Sequence, residues 1–146
     1  MKYFIFIIFI GFLFLPFSAS ANRFFHREIL EKYDPNTEIL LRGKVKRVWI
    51  LPKYKFLIVN VKRRKKIYKV IIGPLWFVKK KRIYLKPGNE VIIKGSKFFT
   101  KKGELFILTR YLYIVDKNHI YYLRDKNFKP CWKKNQGVFR LYSLIL

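Results

Sequence analysis

At 146 residues the chain has room for one small domain with short additions, and not for two. Half of it is apolar, enough for a packed core, and 33 Lys and Arg against 8 Asp and Glu give a net charge of +25, a balance that attracts polyanions. The single cysteine, Cys131, excludes an internal disulfide, a CxxC redox pair and a CxxCH haem attachment. Lys, Ile, Phe, Tyr and Asn dominate while alanine occurs only at Ala19 and Ala21, so an AT-rich genome is a second source for the same charge.

Residues 1–21 have the parts of a secretory leader: Lys2 as a minimal basic region, an apolar run over residues 3–15, then Pro16 and the small-residue site Ala19-Ser20-Ala21. Cleavage after Ala21 is expected, which would leave 32 − 8 = +24 charges and place the protein in the periplasm or outside the cell. Left uncut, the run extended through Phe17 approaches the ~20 residues of a membrane span and would be an anchor. Membrane contact is expected only by that route. Over residues 22–36, Phe24, Phe25, Ile29, Leu30 and Tyr33 stand among Arg and Glu at a spacing that predicts a short amphipathic lead-in helix, ended by Asp34-Pro35.

Five segments follow, residues 37–51, 54–61, 66–72, 90–99 and 105–115, rich in Ile, Val, Leu, Phe and Tyr and separated by Pro, Gly, Lys and Arg. The expected fold is therefore all-β: a five-stranded OB-type barrel over residues 37–116, with a short helix between strands three and four. In the first strand Ile39, Leu41, Gly43 and Val45 alternate with Leu40, Arg42, Lys44 and Lys46. After Arg47 the phase flips to Val48 and Ile50, which predicts a bulge in a long bent strand that closes the barrel. Strand two offers Leu57, Val59 and Val61 to the interior, and strand three Tyr68, Val70 and Ile72. Between them Lys62, Arg63, Arg64, Lys65 and Lys66 are five consecutive cations at a hairpin tip, either a solvated loop or an anion-contacting finger.

Gly73-Pro74 stops strand three, and Trp76 and Phe77 read as a plug for the open end of the barrel. A second cationic run, Lys79, Lys80, Lys81 and Arg82, comes next, and Pro87-Gly88 returns the chain to strand four, which contains Gly95. Lys101, Lys102 and Gly103 mark residues 100–104 as a hairpin turn. Strand five is apolar on both faces, so it is covered on both sides or exposes one face as a binding surface. Residues 117–133 are expected to form a C-terminal hairpin pinned by Pro130-Cys131-Trp132, with Cys131 buried beside Trp132 or bridged to another molecule. Residues 134–146 are a tail, apolar from Gln136 on, that could drive self-association together with strand five.

Catalytic and metal constellations are missing from this pattern. His26 and His119 lack acidic or cysteine partners at metal-ligand spacing, the carboxylates form no close pair, and Thr37 and Ser96 have no histidine at a suggestive distance. Neither an enzyme nor a cofactor is expected. What the chain offers is binding. Tyr54, Phe56, Tyr68, Phe98, Phe99, Tyr111 and Tyr113 are interleaved with Arg42, Lys44, Arg63, Lys69, Lys97 and Arg110, a pattern that permits single-stranded nucleic acid as well as an acidic protein or another envelope partner.

The turn and strand marks, taken in order, resemble a family of small exported bacterial proteins with an OB-like domain, related to the C-terminal region of the magnetosome proteins MamS and MamX. They are Asp34-Pro35-Asn36-Thr37, Gly43-Lys44-Val45, Gly73-Pro74-Leu75-Trp76-Phe77, Pro87-Gly88-Asn89-Glu90-Val91, Gly95-Ser96, Leu123-Arg124-Asp125 and Pro130-Cys131-Trp132, covering about residues 33 to 133. The resemblance implies a secreted OB-type module and supplies no catalytic or binding residues. Relatives such as MamX carry a CxxCH haem motif that this chain lacks.

Overall fold

The computed structural model describes residues 33–133 apart from Lys53, so the expected leader, most of the lead-in helix and the tail lie outside the described residues. Six strands and one short helix follow in order: β1 (Glu38–Leu51), β2 (Phe56–Arg63), β3 (Lys66–Pro74), α1 (Leu75–Lys80), β4 (Glu90–Phe99), β5 (Leu105–Ile114) and β6 (His119–Tyr122). The sheet runs β3-β2-β1-β4-β5, and a parallel contact of β3 with β5 (Lys69↔Phe106, Val70↔Ile107, Ile71↔Leu108) closes it into the five-stranded barrel expected from the sequence. β6 lies outside the ring, antiparallel to β5.

Closure depends on β1. Its first half, Glu38 to Lys44, pairs with β4, and its second half, Lys44 to Leu51, pairs with β2. One strand can serve two sides because its register slips between Val45 and Arg47, the bulge that the phase flip announces. Close approach of the strands demands glycine just before that bulge and at the slip between Lys94 and Gly95, where β4 pairs with β5. A Cβ on Gly43 would strike the Lys62 carbonyl and the Val61 side chain, and one on Gly95 would strike the Leu108 carbonyl and Ile107. Past the bulge one inward expectation fails: Ile50 is 43 % exposed. By that point β1 has left β4 and only β2 still backs it, and Trp49 donates its indole N–H to Asn60 Oδ1 at 3.0 Å.

The interior is built from Leu41, Val45, Val59, Val61, Val70, Ile72, Val91, Ile93, Leu112 and Ile114, all fully buried. Burying each aliphatic side chain contributes about 1.5–3 kcal/mol. β2 and β3 are buried on both faces near the α1 end, and of the two readings open for strand five, cover on both sides holds over residues 106–109.

α1 supplies half of the plug the sequence predicts. Phe77 is buried, whereas Trp76 is 44 % exposed, so the expectation that both rings plug the barrel is corrected. The helical period is the reason: Phe77 and Val78 point inward, which turns Trp76 outward on the side of Lys79 and Lys80. The place assigned to Trp76 is taken by Trp132, packed edge-on to Phe77 (5.6 Å between centroids) and Phe56 (6.2 Å) and lying against Gly73.

Trp132 is brought there by the C-terminal segment. The Leu123 and Arg124 N–H groups both donate to the Arg110 carbonyl (2.8 and 3.1 Å), Arg124 bridges to Pro130, and the Cys131 N–H donates to the Leu123 carbonyl. Cys131 itself is half-buried and is not in a disulfide. Alternating rings and guanidinium groups then tie this segment to the lead-in. Arg124 stands 5.8 Å from the Trp132 ring and 4.8 Å from that of Tyr33; Tyr33 stacks on Phe128 at 5.5 Å; Arg110 covers Phe128 at 4.6 Å. Burial pulls Arg124 down to about 10, against the attraction of Tyr33 and Cys131.

The Tyr33 hydroxyl donates to Glu38, which also takes Arg110 at 3.1 Å and Lys94 at 3.3 Å. Burial works against the Glu38 carboxylate, but the hydrogen bonds from Tyr33, Arg110 and Lys94 outweigh it and hold the carboxyl below its ordinary value. Burial, and then the same carboxylate, push the Tyr33 hydroxyl well up.

Candidate anion-binding surfaces

Because β3 and β5 are parallel and in register, the turns that lead into them stand side by side at one end of the barrel. The first is the two-residue turn Arg64-Lys65 between β2 and β3; the second is residues 100–104 between β4 and β5. Lys62, Arg63, Arg64, Lys65 and Lys66 are all exposed, and Lys101 and Lys102 come up beside them from the second turn, with Lys97 exposed on β4. The carboxylate in these turns, Glu104, is paired with Lys69 at 2.9 Å. Lys97, Lys101 and Lys102 are therefore part of a surface that the sequence reading confined to one hairpin. The signal for them is topological: the parallel β3–β5 closure of an OB-type barrel brings these two turns together.

Arg64 holds a left-handed backbone conformation, φ 54°. Two-residue hairpin turns usually place Gly, Asn or Asp in such positions, because a Cβ there costs roughly 1–2 kcal/mol. A long cationic side chain thus stands at the apex at some cost to stability. The neighbouring Arg63 reaches sideways, its guanidinium 3.4 Å from the Leu40 carbonyl on the part of β1 that β2 does not reach.

Lys79, Lys80, Lys81 and Arg82 are not part of this surface. β3 runs from Lys66 to Pro74, eight steps of ~3.3 Å or roughly 26 Å, before α1 begins, so the second run follows from the opposite end of the barrel. There α1 turns Trp76, Lys79 and Lys80 outward. Beyond the left-handed Arg82 (φ 53°), Ile83 turns in while Tyr84 and Lys86 stay exposed. Neighbouring turns add to this end. The Leu75 N–H donates to the Lys55 carbonyl at 2.7 Å, and Lys117 Nζ donates to the Tyr84 carbonyl at 2.9 Å while lying 5.2 Å from the Tyr84 ring. Residues 75–89 contain no carboxylate, and the nearby Asp116 accepts from Asn89 Nδ2 at 2.9 Å.

Of the seven rings that the sequence interleaves with cations, Phe56 and Phe98 are buried, Tyr54, Tyr68, Tyr111 and Tyr113 are half-buried, and only Phe99 stands exposed. Three of the cations in that pattern are committed to carboxylates: Arg42 to Glu90 at 2.7 Å, Lys69 to Glu104 and Arg110 to Glu38. His119 lies edge-on to Tyr121, with centroids 4.5 Å apart. Among the described residues no group of three His, Cys, Asp or Glu could hold a metal ion, and no helix is long and apolar enough to cross a membrane. The remaining turn marks are structural. Pro74 is buried at the end of β3, and Gly88, at φ 94°, donates its N–H to the Val45 carbonyl.

Among solved structures the chain is similar to the Stn1–Ten1 complex of S. pombe, at 20 % identity over 74 % of this chain and 72 % of that one, with a TM-score of 0.42. It is also similar to an OBody, NL8, bound to hen egg-white lysozyme, at 20 % identity over 61 % of this chain and 96 % of that one, with a TM-score of 0.39. No curated protein matches it. The model of the MamS/MamX magnetosome protein family matches residues 40–117, from β1 to the turn after β5, leaving β6 and the segment carrying Trp132 beyond the match. That match covers more than half of the 146 residues, and the chain belongs to the MamS/MamX family.

Proposed function

We propose that this protein is a non-enzymatic, exported binding module of the cell envelope whose barrel holds an acidic partner on the end formed by the β2–β3 and β4–β5 turns. The observation that carries the reading is the convergence there of Lys62, Arg63, Arg64, Lys65 and Lys66 with Lys97, Lys101 and Lys102, against a single turn carboxylate already paired with Lys69. Cations clustered on adjacent turns attract and orient a negatively charged surface. An acidic protein face suits this end better than single-stranded nucleic acid, because base stacking needs a strip of exposed rings, and of the seven candidates only Phe99 is exposed. The leader-like residues 1–21 support export.

The test is charge reversal of Arg63, Arg64, Lys65 and Lys66 together, compared with reversal of Lys79, Lys80, Lys81 and Arg82. The probes are polyglutamate and proteins captured from an envelope extract, read at ~50 and ~200 mM salt. The first variant should lose binding and the second should keep it. Equal loss in both, or in neither, sinks the assignment to this end. Tight, steeply salt-dependent binding of single-stranded DNA that outcompetes the acidic protein would replace it with the nucleic-acid reading.

A further inference from the structure

At the α1 end the cations are accompanied by something the hairpin end lacks. Trp76 is 44 % exposed and Tyr84 64 % exposed, and they stand among Lys79, Lys80 and Arg82. Neither ring is a stray core residue. The inward places beneath them are filled by Phe77, Val78 and Ile83. Trp76 packs edge-to-face with Phe77, at 5.8 Å, and Tyr84 is held outward by the Lys117 tie to its carbonyl and ring. Indole and phenol each join an apolar body to one polar tip, and such side chains gather where a bilayer meets water. Lysine and arginine beside them draw the surface toward anionic headgroups.

We propose that the α1 end docks on an anionic lipid bilayer, with Trp76 and Tyr84 at headgroup depth and Lys79, Lys80 and Arg82 on the lipid phosphates. A bilayer fits better than a second acidic protein, because two exposed rings on one helical turn and the loop after it would each need a matching pocket on a protein, whereas the interface accepts them in any register. Residues 75–89 contain no carboxylate to oppose the approach. This contact is separate from the hairpin-end assignment and would leave that end, on the far side of the barrel, facing away from the membrane.

The test uses the full chain with vesicles of phosphatidylcholine alone or with about 30 % phosphatidylglycerol, each prepared with and without brominated acyl chains. The readout is tryptophan emission, which separates this contact from any insertion of residues 1–21, since the three tryptophans are Trp49, Trp76 and Trp132. Anionic vesicles should shift the emission to the blue and brominated chains should quench it. Trp76→Phe, which keeps Trp49 and Trp132, should abolish both effects. Reversal of Lys79, Lys80 and Arg82 should weaken partitioning at least about 100-fold, each cation near a charged surface being worth about a factor of five. Quenching that survives Trp76→Phe overturns the proposal, as does partitioning unchanged by the charge reversal. A Trp76 shift produced by polyglutamate and not by anionic vesicles would assign this end to an acidic protein instead.

Discussion

The two ends of this barrel carry similar runs of cations and differ in what lies among and beneath them. At the hairpin end, Arg64-Lys65 and residues 100–104 are turns made of charge, with an arginine at a backbone position that favours glycine. At the α1 end, the cations stand around two exposed rings, over a plug of Phe77, Trp132 and Phe56. Charge alone would make the ends equivalent; the aromatic residues separate them. The first end suits a partner recognised by charge, the second a partner that also accepts amphipathic rings. The plug additionally makes the second end part of the folding core, which the first is not.

The sharpest way to break this comparison is to remove the plug. Trp132→Ala or Phe77→Ala should each cost about 3–5 kcal/mol in chemical denaturation, the usual loss for a buried aromatic ring. Lys65→Ala at the other apex should stay within about 0.5 kcal/mol, as for exposed sites in general. Similar losses at both ends would mean that the hairpin turns are structural as well.

Between the two ends, the Glu38 cluster contributes a pH-dependent part of the stability. The Glu38 carboxyl is held below its unfolded value by Tyr33, Arg110 and Lys94, so its contribution is present in full above that value, roughly pH 4.3–4.5, and is lost as pH falls through the lower, folded-state value. Tyr33 is shifted the other way: its contribution is present below pH 10 and is lost as the pH rises beyond it. Denaturation midpoints should therefore fall in acid, and Glu38→Gln should flatten that acid limb. An unchanged limb would show that another carboxylate governs it.

Arg64→Gly sharpens the functional side. It should raise stability by about 0.5–1 kcal/mol, since glycine adopts φ 54° without strain, while weakening polyglutamate binding several-fold. A variant that gains stability and keeps full affinity would mean that Arg64 does not contact the partner. The matching change at the other end, Arg82→Gly, should stabilise similarly and leave polyglutamate binding alone. The smallest effect is expected from Glu104→Gln. Loss of its exposed pair with Lys69 should change stability by less than about 1 kcal/mol while raising polyanion affinity about two- to threefold, as one cation is released.

Much of the architecture is readable in the residues. Strand segments rich in β-branched and aromatic side chains, broken by Gly73-Pro74, Pro87-Gly88 and residues 100–104, give the five strands close to their observed limits. The phase flip after Arg47 marks the bulge to within a residue or two. The plug was only half legible. Trp76 and Phe77 are adjacent and equally apolar, and only the rotation of α1 against the barrel decides which of them turns in. Its second ring, Trp132, comes from 55 positions beyond Phe77, a pairing that no local period can announce. The site was legible as two cationic runs and invisible as a surface. Lys101 and Lys102 read as turn residues until the parallel β3–β5 contact sets them beside Arg64.

By itself the order of residues determined strand content, turn positions and the excess of positive charge, because these follow from side-chain chemistry and short-range periodicity. Tertiary structure alone decided which cations share an end, which rings are spent in the core and which are left to solvent. Barrel closure does this by joining strands far apart in the chain, so that proximity on the surface no longer follows distance along the sequence.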